Sequence, residues 1–296
     1  AGKEIYVVAD ITVNEGNANA WKTAAPQDIK KWTPIGKTNR FKGTFDGGMH
    51  TISGLYSKET TANTGFFGGV ESATIKNLQL LNSCFVSSST DTGSITGVAP
   101  GGTIENIYSD AVVVSTNKRV GGLVGQTSKV TTIQNCGFDG SAESIYGSTD
   151  VLVGGLVGLV QSEGTQCQIL NCMNSGTVSA TATSDMGPEV GGLLGGKYTN
   201  KATSTLTVKN CFNIGTVNGP SGVTGDFGAF VGYNANGTFE NVYATTESCS
   251  NTKTNPSGTE VVNEADVLGG KASEALSGLD FENAWATVMG YTPVLK

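Results

Sequence analysis

Six segments of the chain share one polarity pattern. TIKNL, TIENI, TIQNC, QILNC, TVKNC and TFENV each place an apolar residue two positions before an asparagine, and another directly after it. Apolar positions at i−2 and i+1 break the alternation of a continuous strand. A corner at the asparagine restores it by turning both neighbours inward, and asparagine tolerates the left-handed backbone that such a corner needs. The pattern predicts one column of corners at Asn77, Asn106, Asn135, Asn171, Asn210 and Asn241, with amides bonded from coil to coil and Asn135 and Asn171 buried. In TISGL, Gly54 stands in the asparagine slot, and glycine enters the same conformation freely.

A second recurring element precedes each asparagine. VGGLVG stands at Val120 and Val153, VGGLLG at Val190, and looser copies begin at Asn63, Thr92 and Phe227. A third short apolar segment follows, as in DAVVVS, SGTVSA and IGTVNG. Each unit of about 28 to 39 residues is thus three short β-branched strands joined by polar turns, with no helical period. Units too small to bury an apolar face alone must stack. The expectation is an all-β chain, a right-handed parallel β-helix of three-strand coils with about seven rungs, some 34 Å long at about 4.8 Å per coil. A propeller blade, with four strands, fits less well. The hexapeptide glycines read as a narrow corner where backbone passes backbone; a phosphate cradle would need a following helix and a Lys-Ser/Thr pair, and neither is present.

The ends depart from the repeat. Residues 1–249 read as the β-helix, opened by the strand EIYVVADITV and a polar loop, 14–40, that carries Trp21 and Trp32 and folds over the first coil. Residues 250–296 read as a C-terminal cap with a short helix around Ser273–Leu279, then Trp285 and a final strand, YTPVLK. The longest apolar run, Val151–Val160, is too short for a membrane-spanning helix. No signal peptide opens the chain, which reads as a mature fragment.

Composition narrows the partners. The net charge is −7, and after residue 60 the chain carries 10 basic and 19 acidic groups, with two arginines overall, Arg40 and Arg119. This balance argues against nucleic acid and anionic membranes. The six cysteines (Cys84, Cys136, Cys167, Cys172, Cys211 and Cys249) have no CxxC spacing, and His50 is the single histidine, so a zinc site is not expected. Cys136, Cys172 and Cys211 fall in one inward column, and Cys84 aligns with Val113, Val178 and Val217. Parallel Cβ directions suit a disulfide poorly, which favours free thiols used as small hydrophobes over a disulfide or metal ladder.

At WTPIGKTNRFKGTFDGGMHTISGL, followed by the GGLVG copies, the chain resembles the GLUG-repeat proteins of bacterial surfaces and secretions. The resemblance spans nearly the whole chain, with Met49 where the family usually has glycine. It implies a right-handed β-helix, extracellular or cell-surface placement and an adhesin-like role, and it brings no catalytic residues.

Candidate chemistry is sparse. Asp46 and His50 suggest a catalytic pair, but Asp46-Gly47 reads more simply as a tight turn that His50 ties down. The tryptophans can stack on sugars or cover coil ends. Two functions stand open: a non-catalytic module that binds glycan or partner protein or serves as a stalk, or a polysaccharide lyase or hydrolase. The second needs paired acids, and the column Lys76, Glu105, Gln134, Leu170, Lys209, Glu240 holds no acidic pair on adjacent coils. Lengthened loops in the middle coils bring Asp150, Asp185, Glu189 and Asp226 to one edge, with Glu189 and Asp226 immediately before their hexapeptides. That edge is the candidate binding site, where paired carboxylates can hold Ca²⁺. No other cofactor is expected, and the chain reads as a monomer.

Overall fold

In a computed structural model, the structure describes residues 2–61, 63–88, 91–146, 150–162, 166–181, 187–199, 204–219, 225–233, 236–249 and 256–296. It is a parallel β-helix. The main path of a fourteen-stranded sheet follows the chain from Lys3–Tyr6 through Gly43–Ser53, Ala73–Leu81 and Thr96–Ser109 to Thr259–Val262. A six-stranded sheet runs from Tyr56–Glu59 to Thr216–Asn218, and a five-stranded one from Asp91–Gly93 to Asp226–Gly228. Neighbouring strands in all three pair in parallel.

Register turns the repeat into columns. Phe45, Ile75, Ile104, Ile133, Ile169, Val208 and Phe239 lie one above another and are all buried. Each such side chain stabilises the stack by roughly 1.5–3 kcal/mol. Leu78, Ile107 and Cys136 form the adjoining column, continued on later coils by Cys172, Cys211 and Val242. All six cysteines are buried thiols outside any disulfide. Burial pushes the Cys84 thiol up to about 12 and Cys167 up to about 11. The Sγ–H groups of Cys136, Cys172 and Cys211 instead point to backbone carbonyls, with Gln134 O and Leu170 O at 3.1 Å.

The asparagine column is present with its backbone as expected. All six asparagines have φ between 50° and 57°. Each Nδ2 donates to the Oδ1 of the asparagine one coil earlier, at 2.9–3.2 Å, and Asn77 ends the chain of amides on Asp46 Oδ1 at 3.0 Å. The expected burial is corrected: Asn106 and Asn135 are exposed, the others half-buried. The corner points its side chain outward because both apolar neighbours take the inside.

Gly54 is not in that column. Its neighbour Ser53 pairs with Leu81, so Gly54 matches Asn82, one corner later. The slot opposite Asn77 is filled by the turn Gly47–Met49, where the register shifts and Gly48 and Met49 take φ near 60°. Gly54 remains a structural glycine: φ is +73°, and a Cβ there would meet Asn14 O at 2.0 Å. Cys84 is likewise displaced by one residue. It pairs with Val112, leaving Phe85 in the inward column with Val113, Ala142, Val178 and Val217. A one-residue slip in a strand exchanges its faces, so Cys84 packs outside, under Trp21, Tyr56 and Val112.

The hexapeptide glycines serve close approach rather than positive φ. A Cβ on Gly121 would lie 1.9 Å from Val124 O, on Gly122 2.0 Å from Gly155 O, and on Gly155 2.1 Å from Gly192 O. The chain turns there within one residue's width of the coil above.

Both ends differ from simple caps. Residues 14–40 do not only cover a coil end. Lys31 bridges Tyr56 and Ile35 bridges Phe67, while Trp32 stacks on Phe66 at 5.1 Å, so this stretch contributes sides to an additional coil. The intervening helix, Ala18–Trp21, capped by Asn17, lies on the flank. At the other end, Thr259–Val262 pairs with Val242–Thr245 and carries the first sheet across the expected boundary at 249/250. The C-terminal helix is Ala272–Ala275 rather than Ser273–Leu279, and Trp285–Val288 pairs antiparallel with Tyr291–Leu295. Leu276, Leu279 and Trp285 pack on Met173, Phe212 and Tyr243, three residues on successive coils of the outer face. The segment is a strap along the flank.

Candidate functional site

The long connections of the middle coils leave at one corner. They join Ser141–Ser144 to Leu152–Gly154, Thr177–Ala180 to Glu189–Gly191, and Thr216–Asn218 to Asp226–Gly228. Parallel register then sets Asp91, Arg119, Leu152, Glu189 and Asp226 in a single column. Glu189 and Asp226 are direct partners on adjacent coils, as the sequence implied. Asp150 stands beside this column, its side chain 64% exposed and paired with Lys118 Nζ at 3.0 Å. Asp185 lies outside the described residues.

Glu189 does not project freely. Its Oε1 accepts the Tyr198 hydroxyl proton at 2.9 Å, while Oε2 is buried with no hydrogen-bond partner among the described residues. That oxygen rests above Gly196, 3.0 Å from where a Cβ would be, beside Leu152 and Tyr233. Burial raises the Glu189 carboxyl to about 7, opposed by the Tyr198 hydrogen bond and reinforced by the charges of Asp226 and Asp150. Half-neutral near pH 7, it is a weaker partner for a hard cation than its position in the sequence suggested. Calcium takes six to eight oxygens. Among the described residues no three His, Cys, Asp or Glu side chains converge as a metal site.

Sequence reasoning missed the aromatic part of this corner. Tyr198 and Tyr233, on successive coils, have ring centroids 5.6 Å apart and are 37% and 40% exposed. They follow the hexapeptides that begin at Val190 and Phe227, in outward positions that the glycine pattern conceals. Arg119 ion-pairs with Asp91 at 3.2 Å and donates to Gln126, whose Nε2 donates to Gln161 Oε1 at 2.6 Å. A cleft of about 350 Å³ opens among Lys118, Arg119, Asp150, Gln161 and Tyr198. Leu152 and Leu159, almost fully buried, form its floor.

The other sequence candidates stay apart from this corner. His50 Nδ1 sits 3.1 Å from Asp10 Oδ1 at the first coils, and Asp46 accepts from Gly48 N at 2.9 Å, the expected turn. Two acceptor contacts, from Gly48 and Asn77, hold the Asp46 carboxyl below its ordinary value.

No family model matches the chain. A stretch of 126 residues, 41% of the chain, is 31% identical to Halomucin of Haloquadratum walsbyi and spans about 1% of that protein's length. The chain is also similar to a crystal structure from Bacteroides ovatus described as a proposed immunoglobulin A1 protease. The two share 21% identity at a TM-score of 0.73, over 100% of this chain and 86% of that one. At that identity the likeness shows the fold alone, the parallel β-helix.

Proposed function

We propose that the chain is a non-catalytic, extracellular β-helix module of the GLUG-repeat kind, adhesin-like, that binds glycan at its loop-bearing corner. One observation carries this reading. One in-register column carries Arg119, Glu189 and Asp226, and Arg119 lines a cleft with Asp150, Gln161 and Tyr198, whose ring is held by Glu189 and paired with Tyr233. Loops and edges held by a rigid scaffold are the usual seat of recognition. Extracellular placement draws support from the sequence motifs and from the partial likeness to a protein named as a mucin. Calcium between Glu189 and Asp226 remains part of the proposal, as a weak structural ligand of the same edge.

The Bacteroides ovatus neighbour's description favours a second reading, a protease. A thiol protease needs an accessible thiolate, and the cysteines here are buried, with Cys84, Cys167, Cys172 and Cys211 pushed toward the neutral thiol. The readings separate in one assay. The chain is incubated with immunoglobulin A1 and with immobilised plant and host polysaccharides. Retention on a polysaccharide with no new reducing ends, unsaturated products or antibody fragments is expected. Any stoichiometry-exceeding cleavage overturns the module reading.

A further inference from the structure

Resting on that reading, we infer that the cleft beside Tyr198 is a subsite for one uncharged hexopyranose of a glycan chain. The argument is one of charge and shape. Two cations border the cleft, but each already has a carboxylate: Lys118 is paired with Asp150 at 3.0 Å and Arg119 with Asp91 at 3.2 Å. The lining is therefore polar without surplus charge, which gives a uronate or an amino sugar no electrostatic advantage over a neutral ring.

What the lining does offer is arranged on two sides. On one side stands the Tyr198 ring, fixed by its hydroxyl on Glu189 and by Tyr233 behind it. Its face and the Leu152–Leu159 floor suit the C–H face of a pyranose. On the other side are donors and acceptors for vicinal hydroxyls. Gln161 has its Oε1 occupied by Gln126, leaving its NH₂ to donate. Arg119 engages Gln126 and Asp91 through Nη1, so its other N–H groups carry no hydrogen bond within the described residues. Asp150 uses Oδ2 for Lys118 and keeps Oδ1 to accept. The volume, about 350 Å³, lies at the small end of ordinary ligand pockets, enough for a single ring with its chain running on over the surface. The neighbouring coil repeats the aromatic at Tyr233, so the polymer would run along the helix axis.

The test is calorimetric titration at pH 7 with tetrasaccharides of three charges: neutral (cellotetraose, mannotetraose, galactotetraose), acidic (tetragalacturonate) and basic (the fully deacetylated tetramer of glucosamine). At least one neutral tetramer should bind, more tightly than either charged one. Tyr198→Ala should weaken it at least tenfold and Gln161→Ala several-fold, whereas Tyr291→Ala, a change in the exposed C-terminal hairpin, should leave it unaltered. Thermal melts confirm that each variant is folded. Tighter binding of a charged tetramer overturns the assigned sugar class. Undiminished neutral binding by folded Tyr198→Ala overturns the site but leaves a glycan-binding module. Failure of every tetramer, with polysaccharide retention intact, overturns the subsite alone; failure of both overturns the module as well.

Discussion

Single residues show how the corner works. Asn171 has φ +50°, donates to Asn135 and accepts from Asn210, both at 3.2 Å. Asn171→Leu keeps neither the amide ladder nor the tolerance for left-handed backbone, which costs an L-residue about 1–2 kcal/mol. A total loss of about 2–3 kcal/mol is expected in urea unfolding, with the two bridging bonds adding modestly because they are half-exposed. Asn171→Gly retains the backbone freedom and should lose about half as much. Equal losses for Leu and Gly would show that the backbone angle is not what the asparagine supplies. Glu189 gives a test of sign. Its carboxyl titrates near 7 in the folded chain, above its ordinary value. Between those two values the folded state holds a proton that the unfolded state has released, so its contribution to stability falls as pH rises through the window. The difference in melting temperature between Glu189→Gln and the parent should therefore grow in the variant's favour from pH 5 to pH 8. A difference independent of pH would mean that the carboxylate is well solvated. Glu189 and Asp226 were legible in the sequence because they precede a repeated motif. Tyr198 was not, since it stands in a stretch, GGKY, that no other unit copies.

Elements show which glycines are required. Gly122 and Gly155 sit where successive corners touch, and a Cβ on Gly122 would fall 2.0 Å from the next coil's carbonyl. Gly122→Ala must push coils apart and is expected to cost about 3 kcal/mol or more. Gly270, in the C-terminal segment, has nothing within 4 Å of an added Cβ, and Gly270→Ala should change stability by less than about 0.5 kcal/mol. Matching melts for the two variants would contradict the close-packed corner. The same elements show where sequence reading reaches its limit. Periodicity located the strands and the asparagine corner from spacing alone. It misplaced Gly54 because the turn Gly47–Met49 fills the earlier corner, and Cys84 because one extra residue stands between Leu80, which pairs with Ser109, and Cys84, which pairs with Val112. The strap was hidden for another reason. Leu276, Leu279 and Trp285 look like any cap sequence until Met173, Phe212 and Tyr243 are seen stacked outside the barrel to receive them.

At the scale of the whole molecule, stability is spread along a one-dimensional stack in which each coil rests mainly on its neighbours. Buried thiols record this directly. All six cysteines lie within packed columns or under covering segments, so a thiol-modifying disulfide reagent should label none in the native chain and six after unfolding. Rapid native labelling of Cys136, Cys172 or Cys211 would mean that the coils open readily. The central structural claim is that one continuous solenoid, running from the first strand to Thr259–Val262 and strapped along its side, holds the loop-bearing corner rigid. Hydrogen exchange read by mass spectrometry tests it most directly. Amides of the first sheet between Gly43 and Thr245 should exchange slowly as one graded block, with Val242–Thr245 as protected as the strand before it. Asn171→Leu should accelerate exchange on the coils to either side of it. A sharp break in protection inside the stack, or fast exchange at Val242–Thr245, would contradict the continuous solenoid.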